Sequence, residues 1–213
     1  MRTDELISML ATGADPVDDR AVRLRQGVAT ACGVLGTTLL MATLLGVRND
    51  IAQAAMLPMF WFKLAYVVAL AATSLGLMWS LARPGGPAAA GLTRLAVPIA
   101  LMWALAGFEW IAADHGERLA LLYGRTWRTC PWAIAALSVP VFAAMAWAMR
   151  GFAPTRLRLA GGAMGLASGA VAAVAYSLHC PEMGAPFLGV WYLAGMLVPA
   201  TVGWAIGPRL LRW

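Results

Sequence analysis

Six apolar stretches, each long enough to cross a membrane, recur along this chain of 213 residues. A helix needs about 20 apolar residues to cross a hydrocarbon core of about 30 Å, so each stretch predicts one transmembrane helix. A membrane β-barrel would instead show short segments of alternating hydrophobicity. We therefore predict an all-α fold, a polytopic bundle of about six transmembrane helices in a lipid bilayer. The predicted spans are 27–47, 61–82, 95–113, 131–149, 159–178 and 187–207.

The composition excludes a soluble globular domain. Hydrophobic residues make up 61% of the chain and charged residues only 12%, whereas soluble domains contain about 25% charged residues. The net charge of +6 comes from basic residues that flank the apolar stretches. A nucleic-acid-binding protein would need a contiguous basic surface instead, so we expect no direct contact with nucleic acid.

The positions of the basic residues predict the orientation of the chain. Arginine and lysine concentrate in the cytoplasmic loops of membrane proteins. If the N-terminus is cytoplasmic, eleven of the sixteen basic residues lie inside and five lie outside. We therefore predict a multi-pass protein of a bacterial inner membrane, with the N-terminus and the C-terminus both in the cytoplasm.

The polar segment before the first span predicts a site for a protein partner. We divide the chain into this segment, 1–26, and a membrane domain, 27–213. Its first ten residues have the pattern of a short amphipathic helix, which needs a surface to pack against because so short a helix is unstable alone in water. The acidic first turn disfavours the anionic inner leaflet and favours a protein. The acidic residues are Asp4 and Glu5, the apolar stripe is Leu6, Ile7 and Leu10, and Gly13 and Pro16 end the helix.

Two cysteines fall at the outer ends of predicted spans, and each precedes a proline. Pro131 suits the first turn of a helix, where its missing N–H costs nothing, while Pro181 ends one helix and turns the chain. Cys130 and Cys180 could therefore meet on the outer face, which is an oxidising compartment where exposed thiols persist mainly when bridged, ligated or used. Redox pairing and metal ligation both remain open. Cys32, inside the first span, is predicted to be a small buried apolar residue.

Metal ligation would draw on the polar residues of the same outer layer. Thiolate, imidazole and carboxylate groups together suit zinc or another thiophilic metal ion. The spacing matches no compact zinc motif, and the pattern requires no cofactor. The candidate ligands are Cys130, Cys180, His179 and His115, and the acidic residues of this layer are Glu109, Asp114, Glu117 and Glu182.

Two ionisable residues lie within predicted spans, near their outer ends. An ionised group is costly inside the hydrocarbon and needs a partner or access to the interface. We expect Lys63 and Glu109 either to pair with each other or to act as interfacial anchors.

Small residues line one face of the fifth predicted span. Small side chains let the backbones of neighbouring membrane helices approach closely. Static packing is the simpler interpretation of this face, and sliding of two helices past each other is the alternative. The glycines of the face are Gly161, Gly162, Gly165 and Gly169.

Three segments carry a resemblance to a known family. They are 2–7, 127–132 around Cys130, and the run Leu-His-Cys-Pro-Glu at 178–182 with the aromatic residues that follow it at 187–192. On these segments the chain resembles the NrsF-type membrane proteins, six-span anti-sigma factors for extracytoplasmic-function (ECF) sigma factors of proteobacteria, and the resemblance covers essentially the whole chain. It implies that the N-terminal segment holds a cytoplasmic ECF sigma factor away from RNA polymerase, and that Cys130 and Cys180 sense heavy-metal or oxidative stress. The sigma-binding residues that it implies are Asp4, Leu6, Ile7 and Leu10.

Two other function classes fit the sequence less well. A membrane thiol oxidoreductase usually needs a second, resolving cysteine pair, often Cys-x-x-Cys, and this sequence contains no such motif. A small transporter would need clustered ionisable groups along its substrate path, and the predicted spans lack them. We therefore expect a regulator of transcription and not an enzyme.

Overall fold

The computed structural model describes residues 2–12 and 18–212, with the backbone alone at Leu10 and Ala11. The predicted helix-ending residues Gly13 and Pro16 lie outside the described residues. The helices are α1 (Thr3–Thr12), α2 (Asp19–Leu44), α3 (Ile51–Ala54), α4 (Pro58–Leu81), α5 (Ala88–Ala112), α6 (Arg118–Tyr123), α7 (Cys130–Met149), α8 (Leu157–Ser177), α9 (Ala185–Phe187) and α10 (Leu193–Leu210), with a π-helical turn at Leu188–Tyr192 that joins α9 to α10.

Six of these helical segments are long and apolar enough to cross a membrane: α2, α4, α5, α7, α8 and the continuous helix from α9 to α10. The described residues form helices and turns without strands, which confirms the predicted all-α polytopic bundle. Six crossings place the two ends of the described chain at the same end of the bundle. We call this end of the bundle the terminus end, and the connections 82–87 and 150–156 lie there as well. The opposite end is the cysteine end, with connections 45–57, 113–129 and 178–184.

Two helices extend beyond their predicted spans at the terminus end. Helix α2 begins at Asp19, where the Asp18 carboxylate accepts a hydrogen bond from the amide of Arg20 at 2.8 Å and caps the first turn. Helix α5 begins at Ala88 and not at 95. Because α2 continues through residue 26, the predicted division between 1–26 and 27–213 falls inside a helix, and that division stays a prediction.

Helix α8 lies at the centre of the bundle. In α8, 78% of the apolar stretch is buried inside the protein, against 11% in α5, which lies at the periphery. Glycine makes the central position of α8 possible, because a methyl group at Gly165 would overlap the carbonyl of Pro199 on α10. The predicted small-residue face therefore packs backbone against backbone on the last span.

Candidate functional site

The two cysteines meet at the cysteine end of the bundle. Cys130 is the first residue of α7, and Cys180 lies in the connection 178–184, which we call the Cys180 connection. Both side chains are fully buried, although the loop positions predicted exposed thiols. Because the neighbouring Cys130 thiol can donate a hydrogen bond to a thiolate at position 180, it lowers the pKa of Cys180. Burial opposes that effect, and the Lys63 ammonium supports it.

Aromatic and hydroxyl groups complete the surroundings of the thiol pair. Thr126 Oγ1 lies 3.9 Å from Cys180 Sγ. Tyr176 and Tyr192 are both buried, and their ring centroids lie 5.8 Å apart. The hydroxyl of Tyr192 is buried beside the Cys180 sulfur and helps to lower the pKa of that thiol. Tyr192 belongs to the π-helical turn, a rare geometry that is frequent at functional sites.

Lys63 holds the Cys180 connection through its backbone. The ammonium group is fully buried and donates to the carbonyls of Cys180 at 2.7 Å and Glu182 at 3.0 Å. It also lies 5.4 Å from the centroid of the Tyr192 ring, within the range of a cation–π interaction. A buried ammonium group needs such partners to offset its lost hydration. Lys63 thus fastens the loop that carries one of the two thiols.

Glu109 reaches the same loop from α5. Its carboxylate accepts a hydrogen bond from the amide of Ala185 at 2.8 Å, at the point where the Cys180 connection enters α9. Within the ranges that the structure describes, the only ion pair is Arg48–Asp50, at 2.6 Å. The expected alternative of a Lys63–Glu109 pair is therefore wrong, and each residue contacts backbone groups of the loop instead.

Two further connections at the cysteine end contact the Cys180 connection. His179 Nδ1 donates to the carbonyl of Gly46 at 2.9 Å, and the amide of Arg48 donates to the carbonyl of Leu178 at 3.2 Å. On the other side, the Glu182 carboxylate accepts from the amide of Arg125 at 2.7 Å. The loop is therefore held by hydrogen bonds from both of these connections as well as from α4 and α5.

Gly124 makes the contact of Glu182 possible. It has a positive φ of 52°, which favours glycine. A methyl group there would come within 2.6 Å of the Glu182 carboxylate. A glycine at 124 therefore suits both the backbone turn and the approach of the acid.

The predicted metal ligands are only partly brought together. The Nδ1 of His179 is occupied by Gly46, and His115 is exposed in the connection between α5 and α6. Across residues 2–12 and 18–212, no three His, Cys, Asp or Glu side chains converge to hold a metal ion. The described geometry offers the thiol pair, without a third ligand from the histidines.

Comparisons with known proteins agree on one family. A sequence profile of the family NrsF, described as "Negative regulator of sigma F", matches residues 10–213. The chain belongs to the NrsF family. It is 52% identical, over 218 aligned residues and the full length of both chains, to a protein of Azospira oryzae named "Probable anti-sigma-F factor NrsF". It is 39% identical, again over the full length of both, to the "Anti-sigma-F factor NrsF" of Caulobacter vibrioides. No solved structure matches the chain.

In this member of the NrsF family, the N-terminal segment forms the predicted helix, α1. Leu6 and Ile7 are 40% and 59% exposed, and Asp4 lies exposed in the first turn. The side chain of Leu10 lies outside the described residues. Helix α1 therefore carries apolar side chains on its surface next to acidic ones.

One cysteine prediction is wrong, and some contributors to the site went unnoticed. Cys32 is exposed on the surface of α2 and not buried. Membrane helices are apolar on the lipid side as well as on the protein side, so the sequence does not reveal the rotation of α2. Tyr176 and Tyr192 read as ordinary span residues. The two Cys-Pro pairs pointed to the thiols of this site, and the isolated charges inside spans, Lys63 and Glu109, pointed to the groups that hold the loop.

Proposed function

We propose that the protein is a transmembrane anti-sigma factor of the bacterial inner membrane. It holds a cytoplasmic ECF sigma factor through residues 1–18, the part of the N-terminal segment that precedes α2 and that we call the sigma-binding segment. It releases the sigma factor when Cys130 and Cys180 are modified by heavy-metal or oxidative stress. The observation that carries the proposal is the burial of two cysteines, distant in sequence, side by side at the end of the bundle opposite the chain termini. Membership of a family described as negative regulators of sigma F supports it.

The exposed apolar residues of α1 support a protein partner. Leu6, Ile7 and Met9 are all exposed on a helix of ten residues. A helix of this length gains its stability from packing and not from helix propensity alone. A groove on a sigma factor would bury these side chains and order the helix, as amphipathic helices do when they bind protein partners.

The thiol pair suits either class of stress. An oxidant would take two electrons from the two thiols, release two protons and leave one sulfur–sulfur bond. A soft metal ion would instead displace protons and bind the sulfurs, which favour thiophilic metals. In the unmodified protein the Cys180 sulfur contacts Cys130 and Thr126. Both modifications change these contacts. A switch from 1:99 to 99:1 between two states needs about 5.5 kcal/mol of differential stabilisation, and metal binding to structural sites can release about 10 kcal/mol or more.

Co-purification tests the partner. The tagged full chain and a variant that lacks residues 2–17 would be extracted from the same membranes, and the soluble proteins retained by each would be identified. We expect a sigma factor to be retained by the full chain and lost from the deletion variant. A variant with Leu6→Asp and Ile7→Asp should lose it too, while Ser8→Ala, on the same helix, should not. Retention that is independent of α1, or no sigma factor at all, would contradict the proposal.

Serine variants test the signal. Cys130→Ser and Cys180→Ser should still retain the sigma factor but should no longer release it on treatment with diamide or cadmium chloride. Cys32→Ser is the matched control, because Cys32 lies on the surface of α2, and it should respond as the wild type does. Loss of retention in untreated Cys130→Ser or Cys180→Ser would assign these cysteines a purely structural role instead.

A further inference from the structure

The helix that begins with Cys130 ends against α2, the helix that follows the proposed sigma-binding segment, residues 1–18. Helix α7 runs from Cys130 at the cysteine end to Met149 at the terminus end. There it meets the first turns of α2, which begins at Asp19. A displacement of α7 at the thiol pair therefore reaches the start of α2, the helix that follows the proposed sigma-binding segment in the sequence.

Arg25 of α2 makes this contact through its guanidinium group. Nε donates to the carbonyl of Ala148 at 3.1 Å, and Nη2 donates to the carbonyl of Trp147 at 2.9 Å. The guanidinium carbon lies 4.7 Å from the centroid of the Trp147 ring. These carbonyls belong to the last turn of α7, where the negative end of the helix dipole favours a cation. Arg25 is thus fixed by two charge-assisted hydrogen bonds and a cation–π contact.

Gly151 provides the space for this guanidinium. A methyl group at position 151 would overlap Cζ, Nη1 and Nε of Arg25, which are the three atoms nearest to it. Substitution of Gly151 therefore displaces the guanidinium without changing the arginine itself. This gives the contact a second, independent perturbation.

Helices α2 and α7 also contact each other within the membrane. The hydroxyl of Thr37 donates to the carbonyl of Leu137. Gly33 packs against Val141, where a methyl group would come within 3.1 Å of the Val141 backbone. Close packing along the length of the pair makes the two helices move together, and Arg25 extends that link to the terminus end.

We infer that Arg25 is the positioning residue that transmits movement of α7 to the sigma-binding segment. The inference rests on the proposed function and adds to it the route from the thiol pair to the cytoplasm. Without the guanidinium, α7 can shift at the cysteine end while the start of α2 stays in place. Such a protein still binds the sigma factor and its thiols still react, but it releases less of the sigma factor.

The test uses the full chain in lipid nanodiscs with its sigma factor bound. Arg25→Gln removes the cation, and Gly151→Ala displaces it. Their matched controls are Arg23→Gln, an exposed arginine on the same helix, and Gly27→Ala, which would meet nothing within 4 Å. Each complex is treated with diamide, and both the formation of the Cys130–Cys180 disulfide and the sigma factor released are measured.

We expect both test variants to retain the sigma factor and to form the disulfide as the wild type does, but to release about tenfold less of it, within the usual range of coupling between sites. Both controls should release it as the wild type does, and Arg25→Lys should restore part of the release because an ammonium can still donate to one of the carbonyls. Normal release from both test variants would overturn the inference. So would loss of binding before treatment, which would place Arg25 in the binding surface or in the fold. If the wild type itself retains no sigma factor or does not release it, the proposed function fails and the inference fails with it.

Discussion

Replacement of Lys63 by methionine tests whether one buried ammonium group holds the Cys180 connection in place. Lys63 donates to two carbonyls of that connection, at 2.7 Å and 3.0 Å. A hydrogen bond from a charged group contributes about 1.5–3 kcal/mol. Substitution by methionine removes these hydrogen bonds but also removes the cost of burying a charge, which offsets part of the lost stabilisation. We therefore expect local opening of the connection to become easier by about 2 kcal/mol, which corresponds to an open population about 30 times larger.

Alkylation of Cys180 by N-ethylmaleimide measures this opening. Because the thiol is fully buried, the observed rate is the opening equilibrium multiplied by the rate of the exposed thiol. Once the connection opens, the thiol of Cys180 has left Lys63, so the rate of the exposed thiol is the same in both proteins. Lys63→Met should therefore react about 30-fold faster. Arg158→Met is the control, since Arg158 lies over the Trp204 ring at the terminus end, and Cys32→Ser removes the exposed thiol from all samples. A Lys63→Met rate equal to that of the wild type would refute the anchoring role.

Two glycine substitutions test other contacts of the bundle, with Gly116→Ala as the control for both because a methyl group there meets nothing within 4 Å. Gly124→Ala should displace the Glu182 carboxylate and strain a backbone with positive φ, so alkylation of Cys180 should accelerate; an unchanged rate would mean that Glu182 does not hold the loop. Gly165→Ala should bring a methyl group onto the Pro199 carbonyl and destabilise the bundle by about 1–3 kcal/mol, seen as a lower thermal unfolding midpoint in detergent. An unchanged midpoint would show that α8 and α10 can separate without cost.

The sequence was most informative about the spans and least informative about side-chain environments. The lengths of the apolar stretches predicted all six long apolar helices. The positions of the two Cys-Pro pairs predicted that Cys130 and Cys180 lie at the same end of the bundle. Burial of the thiols was not predictable, because it depends on how separate connections fold over one another. The partners of Lys63 were not predictable either, because they are backbone carbonyls, and every residue carries a backbone carbonyl. Side-chain patterns reveal such a site only as an isolated charge in an apolar helix.

The packing of α8 narrows the ways in which a change at the thiol pair can spread. The backbones of α8 and α10 are so close that a methyl group at Gly161 would overlap the carbonyl of Gly203, as one at Gly165 would overlap Pro199. Sliding of one helix past the other would bring larger groups into these contacts, so static packing describes the face better than the sliding alternative. Helix α8 is also the most buried span. Helices α8 and α10 are therefore a fixed pair, and α7 packs beside them together with its partner α2. A rearrangement at Cys130 is more easily accommodated by α7 and α2 than by α8 and α10. Helix α2 is also the helix that follows the proposed sigma-binding segment in the sequence.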